Sequence, residues 1–230
     1  YGFIYNAAIL NKAGINPDEI TSYAKLEEAV KKLDAKKAEL GLEAVFAVAG
    51  KETWVTGLHF TNAALSPEFE NVFNAFNAKK IDFKYSEGMK KLFDLQINYA
   101  KKPVNSVDYS TQVEKLFSLG KVAFMQQGNW TLGAIKGIDE ELAANIGFLP
   151  MPIVGAKEDS IPVGIPMYWT VNSTKDEKTQ AAAKAFLNWM YTSEKGKDAI
   201  INKFGFIPPF KGFDSPDLQP KDALAKDIMK

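Results

Sequence analysis

Short apolar segments alternate along this chain with longer segments of helical periodicity. Between the first two apolar segments, Leu26, Ala29, Val30 and Leu33 recur at spacings of three and four residues, with lysines on the opposite face. Strands that alternate with amphipathic helices predict an α/β fold, and no internal repeat of fixed period is found. The predicted strands include residues 1–6, 44–49, 122–126 and 146–150.

The second half of the chain yields further predictions. Four prolines and two glycines between residues 150 and 166 predict a linker or crossover, and a strand is predicted over 168–172. Thr174 and Glu177 have the spacing of a capping box. The helix that follows carries an apolar stripe, in which we assign Trp189 to the core. Earlier in the chain, residues 82–85 have the pattern of a short strand.

Several chemistries are excluded by composition. The 230 residues include no cysteine and one histidine, so disulfides, thiol catalysis and thiolate metal sites are ruled out. A zinc or copper site would need carboxylates clustered around His59, and no such spacing occurs. The chain also has no phosphate-binding glycine loop and no serine elbow. We therefore expect no metal, no cofactor and no catalytic residues.

The charges point to a neutral ligand. Twenty-eight acidic residues balance 28 basic residues, so no overall field favours nucleic acid. All the basic residues are lysines, and without arginine the chain cannot form the bidentate fork that binds carboxylates and phosphates.

Two tryptophans follow predicted strands directly. Trp54 comes after residues 44–49, next to Glu52, and Trp130 comes after residues 122–126, next to Asn129. Ligands of α/β sheets bind beyond the carboxyl ends of strands, and an indole face suits the C–H face of a sugar. Core packing is the alternative for either ring, and a solvated loop acid is the alternative for Glu52. Asn129 is also placed to cap the helix that begins there.

Five segments, taken together and in order, resemble extracellular solute-binding proteins of carbohydrate ABC transporters, the maltose-binding-protein-like family 1. The most specific has a helix with Phe117, then Gly120-Lys121, Met125 and Gly128-Asn129-Trp130. The others are Gly2–Asn6 with Ala13-Gly14, Ile146–Pro152, Lys184–Met190, and Gly205–Pro208. The resemblance covers nearly the whole chain.

The resemblance implies a periplasmic-binding-protein type II-like fold, in which two α/β lobes close on a sugar. Residues 1–163 would form the second lobe, residues 164–210 would be a hinge strand and helices of the first lobe, and residues 211–230 would return. Family members have about a hundred residues before the position of Tyr1. We therefore expect most of the N-terminal lobe to lie outside this sequence, and weak or no sugar binding by this chain alone.

The family also implies site residues and partners. Trp54 and Trp130 match its aromatic platforms, and Asn129, Glu52, Pro166, Met167 and Tyr168 are further ligand-binding candidates. The expected partners are a carbohydrate and the permease subunits of an ABC importer. The expected location is extracellular or periplasmic, as a bacterial lipoprotein whose lipid anchor is absent from this chain.

Two alternatives stay open on the residues alone. A glycoside-processing enzyme could use Glu52 and a second acid near Trp130. A solute other than a sugar, such as a peptide or a polyamine, could bind within the same fold, although Glu52 is the single acid close to the tryptophans in sequence.

Overall fold

The computed structural model describes residues 1–164, 168–208 and 210–230. The chain forms two compact units, Tyr1–Pro162 with Lys230, and Val163–Met229. Each unit has its own apolar core. None of the helices in the described ranges is both long enough and apolar enough to span a lipid bilayer.

The first unit is built on a mixed four-stranded sheet. Its strands are β1 (Gly2–Asn6), β2 (Phe46–Ala47), β3 (Phe124–Gln127) and β4 (Ile146–Leu149), in the order β2-β3-β1-β4. Strand β1 pairs antiparallel with β3 and β4, whereas β2 and β3 are parallel. The α/β class is thus confirmed, and the predicted strand over 44–49 is reduced to two paired residues.

Helices connect the strands of this unit. Helix α2 (Tyr23–Ala35) begins at Ser22, whose hydroxyl accepts a hydrogen bond from the Lys25 amide, as expected for an N-cap. Two stretches are π-helical, Trp54–Phe60 and Thr111–Phe117. The remaining α-helices are α1 (Ala7–Lys12), α3 (Thr61–Leu65), α4 (Val72–Asn77), α5 (Ser86–Asn98), α6 (Leu132–Ile138) and α7 (Glu140–Ala144).

The sheet and its helices enclose a large apolar core. Phe46 lies at its centre, with ring centroids 5.6 Å from Phe3 and 5.4 Å from Phe124, and all three side chains are fully buried. Each buried phenylalanine contributes about 1.5–3 kcal/mol to folding. The apolar face predicted for α2, which includes Leu26 and Leu33, packs into this core. The tight packing holds the ends of β2 and β3 in place.

The second unit is mainly helical. It contains α8 (Glu177–Thr192), α9 (Glu194–Asp198), a π-helical turn at Ala199–Lys203 and α10 (Ala223–Ile228). Its small core joins Met190 with Ile200, Ile201 and Phe213. Trp189 is 44% exposed, so its assignment to the core was wrong.

Three other predicted elements differ from the structure. Residues 82–85 form irregular backbone that ends in a turn at 84–85, because the carboxylate of Glu68 accepts hydrogen bonds from the amides of Asp82 and Lys84, which therefore pair with no strand. Residues 168–172 are not paired as a strand either. Asp176, instead of Thr174, caps α8, because the Thr174 hydroxyl donates to Asn172.

Candidate functional site

The two tryptophans meet at one edge of the sheet. Strands β2 and β3 are parallel neighbours, so the segments that follow them leave the sheet on the same side. The centroids of the Trp54 and Trp130 rings lie 6.2 Å apart, with their planes tilted by 56°. Both rings therefore lie at the same edge of the sheet.

Three more rings complete the group, which we call the aromatic cluster: Tyr1, Trp54, His59, Tyr109 and Trp130. The imidazole of His59 lies 5.3 Å from Trp130 and 5.5 Å from Trp54, and it stacks on Tyr1 at 4.3 Å. Tyr109 lies 6.0 Å from Trp54. Tyr1 reaches this edge because β1 runs antiparallel to β3 and pairs Gly2 with Gln127.

Trp130 folds back over Gly128. A Cβ atom at residue 128 would approach the Trp130 ring to 2.1 Å, so only glycine leaves room for the indole there. The ring is 43% exposed, and its Nε1 donates to Oε1 of Gln127 at 3.1 Å. One side of the ring is therefore held by the protein while the other is open to solvent.

Glu52 is held by the same edge. Its Oε2 accepts from Trp54 Nε1 at 3.0 Å, and its Oε1 accepts from the Tyr109 amide at 3.1 Å. The side chain is half-buried. The interpretation of Glu52 as a solvated loop acid was therefore wrong, because both of its oxygens already have partners in the protein.

Of the other candidate residues that the structure describes, Asn129 lies beside the aromatic cluster. Asn129 precedes Trp130, is half-buried, and has no side-chain hydrogen bond within the described residues, so its amide can meet a ligand. It does not cap the next helix, since Thr131 bonds to the Gly128 carbonyl through both its amide and its hydroxyl. Tyr168 belongs to the second unit and is 77% exposed. Pro166 and Met167 lie outside the described residues.

The titratable groups of the cluster favour their neutral forms. Burial lowers the pKa of His59 below its ordinary value of 6.5. Burial also raises the pKa of Tyr109, with a smaller contribution from the negative charge of Glu114. An uncharged imidazole and an uncharged phenol present polar atoms without net charge, which is compatible with a neutral ligand.

A separate groove of about 930 Å³ lies close by. Asn62 borders it, and the same side chain donates a hydrogen bond to the Tyr1 hydroxyl. Apolar side chains that include Leu65, Phe69 and Val72 line much of it. The groove contains neither tryptophan, so the open ring faces of the aromatic cluster define the candidate site.

Among the residues that the structure describes, no three histidine, aspartate or glutamate side chains are grouped so that they could hold a metal ion. The site offers aromatic faces and the side-chain amide of Asn129.

Sequence reasoning missed several members of the site. His59 was considered only as a metal ligand, and Tyr1 and Tyr109 were not selected at all. Tyr109 lies in the segment Asp108-Tyr-Ser-Thr, just before the family-like helix that carries Phe117, and that position was the available signal. The buried glutamines Gln112 and Gln127 carry no pattern that separates them from ordinary polar residues.

Comparison with known proteins shows the family. A family model described as bacterial extracellular solute-binding protein matches residues 1–197. The chain therefore belongs to the bacterial extracellular solute-binding proteins, a family of binding proteins rather than enzymes. No curated protein matches the chain.

Solved structures have the same fold. A chitin oligosaccharide binding protein is 19% identical with a TM-score of 0.67, over 99% of this chain and 56% of that protein. A manno-oligosaccharide specific solute binding protein from Bifidobacterium animalis subsp. lactis, in complex with mannotriose, is 24% identical with a TM-score of 0.61, over 93% and 50%. RafE in complex with raffinose is 20% identical with a TM-score of 0.60, over 87% and 51%. The chain spans about half the length of these structures.

Proposed function

We propose that this chain is part of a protein that binds a sugar or an oligosaccharide outside the cytoplasm and delivers it to an ABC importer. The observation that carries the proposal is the pair of tryptophan rings 6.2 Å apart at one sheet edge, with part of the Trp130 ring open to solvent. Sugar rings bind to such faces through their C–H groups, while amides bind the hydroxyls. Asn129 supplies an amide beside Trp130.

The family and its solved relatives support this ligand class. The structural relatives named above are a chitin oligosaccharide binding protein and complexes with mannotriose and with raffinose. Their shared chemistry is a neutral, hydroxyl-rich chain with apolar faces. That chemistry agrees with the zero net charge of this chain and with its lack of arginine.

We assign the lobes by the resemblance to the solute-binding family. In our proposal residues 1–163 form the second lobe, residues 164–210 contribute a hinge strand and helices to the first lobe, and residues 211–230 return. The sugar would lie in the cleft between the lobes, where closure excludes water and presents the closed form to the permease subunits. Pro166, Met167 and Tyr168 would reach the sugar from the hinge side. The protein would be held at the bacterial cell surface by a lipid anchor.

The experiment is a thermal-shift screen of the full-length protein against manno-oligosaccharides, raffinose-type oligosaccharides, chitin oligosaccharides and monosaccharides. A ligand that binds the folded state stabilises it by mass action and so raises the melting temperature. At a ligand concentration of 100 Kd the free energy of unfolding rises by about 2.7 kcal/mol. Trp130→Ala should abolish the shift for the sugar that binds. If no sugar raises the melting temperature, but a peptide or polyamine does, the ligand class proposed here is wrong.

The same sample distinguishes a binding protein from an enzyme. Chromatography of the sugar after prolonged incubation should return the intact oligosaccharide. Products that form with the unaltered protein and disappear with Glu52→Gln would instead favour the glycoside-processing alternative, in which Glu52 acts as an acid or base. The two hydrogen bonds that already engage Glu52 favour intact sugar.

A further inference from the structure

The indole N–H groups of both site tryptophans point into the protein. Trp130 donates to Gln127 and Trp54 donates to Glu52. An indole has one polar hydrogen, so neither ring has a donor left for a ligand. A ligand at this edge therefore meets ring faces.

Gln127 is held by a second glutamine. Its Nε2 donates to Oε1 of Gln112 at 2.7 Å, and Nε2 of Gln112 donates to the carbonyl of Ala47 at 2.8 Å. Both glutamines are at most 1% exposed. Each amide is fixed in direction, because a reversed Gln127 amide would face the indole N–H with its own N–H₂ group. A relay of hydrogen bonds thus runs from the end of β2 to the Trp130 ring.

The Trp54 side has a comparable arrangement. Glu52 joins the Trp54 indole to the Tyr109 amide, so one carboxylate connects two members of the aromatic cluster. Gln126 Nε2 donates to the carbonyl of Val55 at 2.9 Å, which fixes the backbone next to Trp54. Consecutive residues of β3, Gln126 and Gln127, therefore hold the two ring-bearing segments.

We propose that Gln127 and Glu52 are positioning residues for sugar binding, a role that rests on the proposed function. They fix the planes of Trp130 and Trp54 before the sugar arrives, so less rotamer freedom is lost on binding. Gln112 acts one step further away, through Gln127. Glu52 in this role acts through Trp54 and touches no sugar hydroxyl, which replaces its earlier assignment as a ligand contact.

The first measurement needs no ligand. In the full-length protein labelled with ¹⁵N-tryptophan, each Trp→Phe substitution identifies one indole N–H signal. Gln127→Leu should shift the Trp130 signal and speed its hydrogen exchange. Gln112→Leu should move the same signal although Gln112 bonds to no ring. The matched control is Gln96→Leu, which replaces a glutamine that is 2% exposed in α5, and it should leave that signal in place.

The second measurement is the Kd for the sugar found in the screen. Gln127→Leu should weaken binding about three- to tenfold, the effect of losing one hydrogen bond that orients the ring. Glu52→Ala should weaken it similarly. Glu52→Gln has one oxygen for two donors, so it keeps the Trp54 indole bond but turns its N–H₂ group toward the Tyr109 amide and should recover only part of the affinity. Glu87→Gln, an exposed acid in the first turn of α5, controls for the lost charge.

The outcomes separate the two ideas. Indole signals that stay in place in Gln127→Leu and Glu52→Ala would overturn the positioning role, and so would an unchanged Kd in folded variants. If the indole signals respond but the unaltered protein binds no sugar, the positioning geometry stands and the proposed function fails. Glu52→Ala serves as the readout if Gln127→Leu does not fold.

Discussion

Gly128 shows how one missing side chain makes room for a ring. Its backbone is extended, with φ of −121°, so any residue could adopt its conformation. What excludes other residues is space, since a Cβ would overlap the Trp130 indole. The glycine before the tryptophan is therefore a condition for the ring to lie flat over the end of β3.

We predict that Gly128→Ala displaces Trp130. Overlap of this kind costs about 1–3 kcal/mol, and the half-exposed ring can escape it by swinging outward. Sugar affinity should then fall roughly tenfold or more, with a smaller change in stability. Isothermal titration measures the first and chemical denaturation the second. Gly133→Ala in α6, where an added Cβ meets nothing within 4 Å, should bind as the unaltered protein does. Equal affinities for the two variants would contradict the prediction.

His59 makes the aromatic cluster sensitive to pH. Burial holds its pKa in the folded protein below the value of 6.5 expected when unfolded, so the folded state prefers the neutral imidazole. The resulting stabilisation is complete above about pH 6.5 and is lost as the pH falls through the folded pKa. The melting temperature should fall between pH 7 and pH 5. His59 is the sole histidine, and His59→Phe should reduce that fall. An unchanged pH profile in His59→Phe would show that His59 is not the cause.

At the level of single residues, the sequence identified the tryptophans but not their surroundings. Two rings that follow two strands can be found by inspection, because the chain order places them there. Tyr1 joins the site only because β1 runs antiparallel to β3, and Gln112 only because its helix packs beneath the end of β2. Strand order and packing of this kind depend on contacts between residues far apart in the chain.

Among the elements, amphipathic helices were predicted best and isolated strands worst. Helix α2 was predicted by its apolar periodicity and by Ser22, both of which are local signals. The irregular segment at 82–85 depends on Glu68, a residue 14 positions earlier that binds its amides. A strand needs a neighbour, and a pattern of alternating residues does not say whether one exists.

Helix α5 packs closely against the backbone at Val154, and adding one methyl group at Gly88 tests that contact. A Cβ at Gly88 would lie 2.2 Å from the Val154 carbonyl oxygen, and backbone atoms cannot move aside as a flexible side chain can. Gly88→Ala should therefore lower the free energy of unfolding by about 1–3 kcal/mol, despite the better helix propensity of alanine. Gly137→Ala in α6 meets nothing within 4 Å and should raise it by up to about 1 kcal/mol. Urea denaturation measures both, and a stabilised Gly88→Ala would show that α5 does not contact that segment closely.

At the scale of the whole molecule, the second unit exposes apolar rings. Helix α8 carries the stripe predicted from the sequence, yet of its large residues only Met190 is buried, while Phe186 and Trp189 are exposed with their ring centroids 5.8 Å apart. The periodicity predicted a packing face, and the structure leaves most of that face exposed. In our proposed assignment of the lobes, this face would pack within the first lobe.

We predict that the 230-residue chain self-associates through this face. Exposed apolar patches of neighbouring rings favour contacts between copies, and the net charge of zero provides no repulsion to prevent them. In sedimentation velocity, the sedimentation coefficient should rise with concentration, and the double variant Phe186→Ser, Trp189→Ser should remove most of that rise. Lys184→Ser with Asn188→Ser, two exposed polar positions on the same helix, is the matched control and should leave the association in place.

In the full-length protein the Phe186 and Trp189 changes should lower stability instead, because they would remove side chains from a buried interface. A chain that stays monomeric at all concentrations would contradict the self-association. A full-length protein whose stability does not change on these substitutions would contradict the lobe assignment.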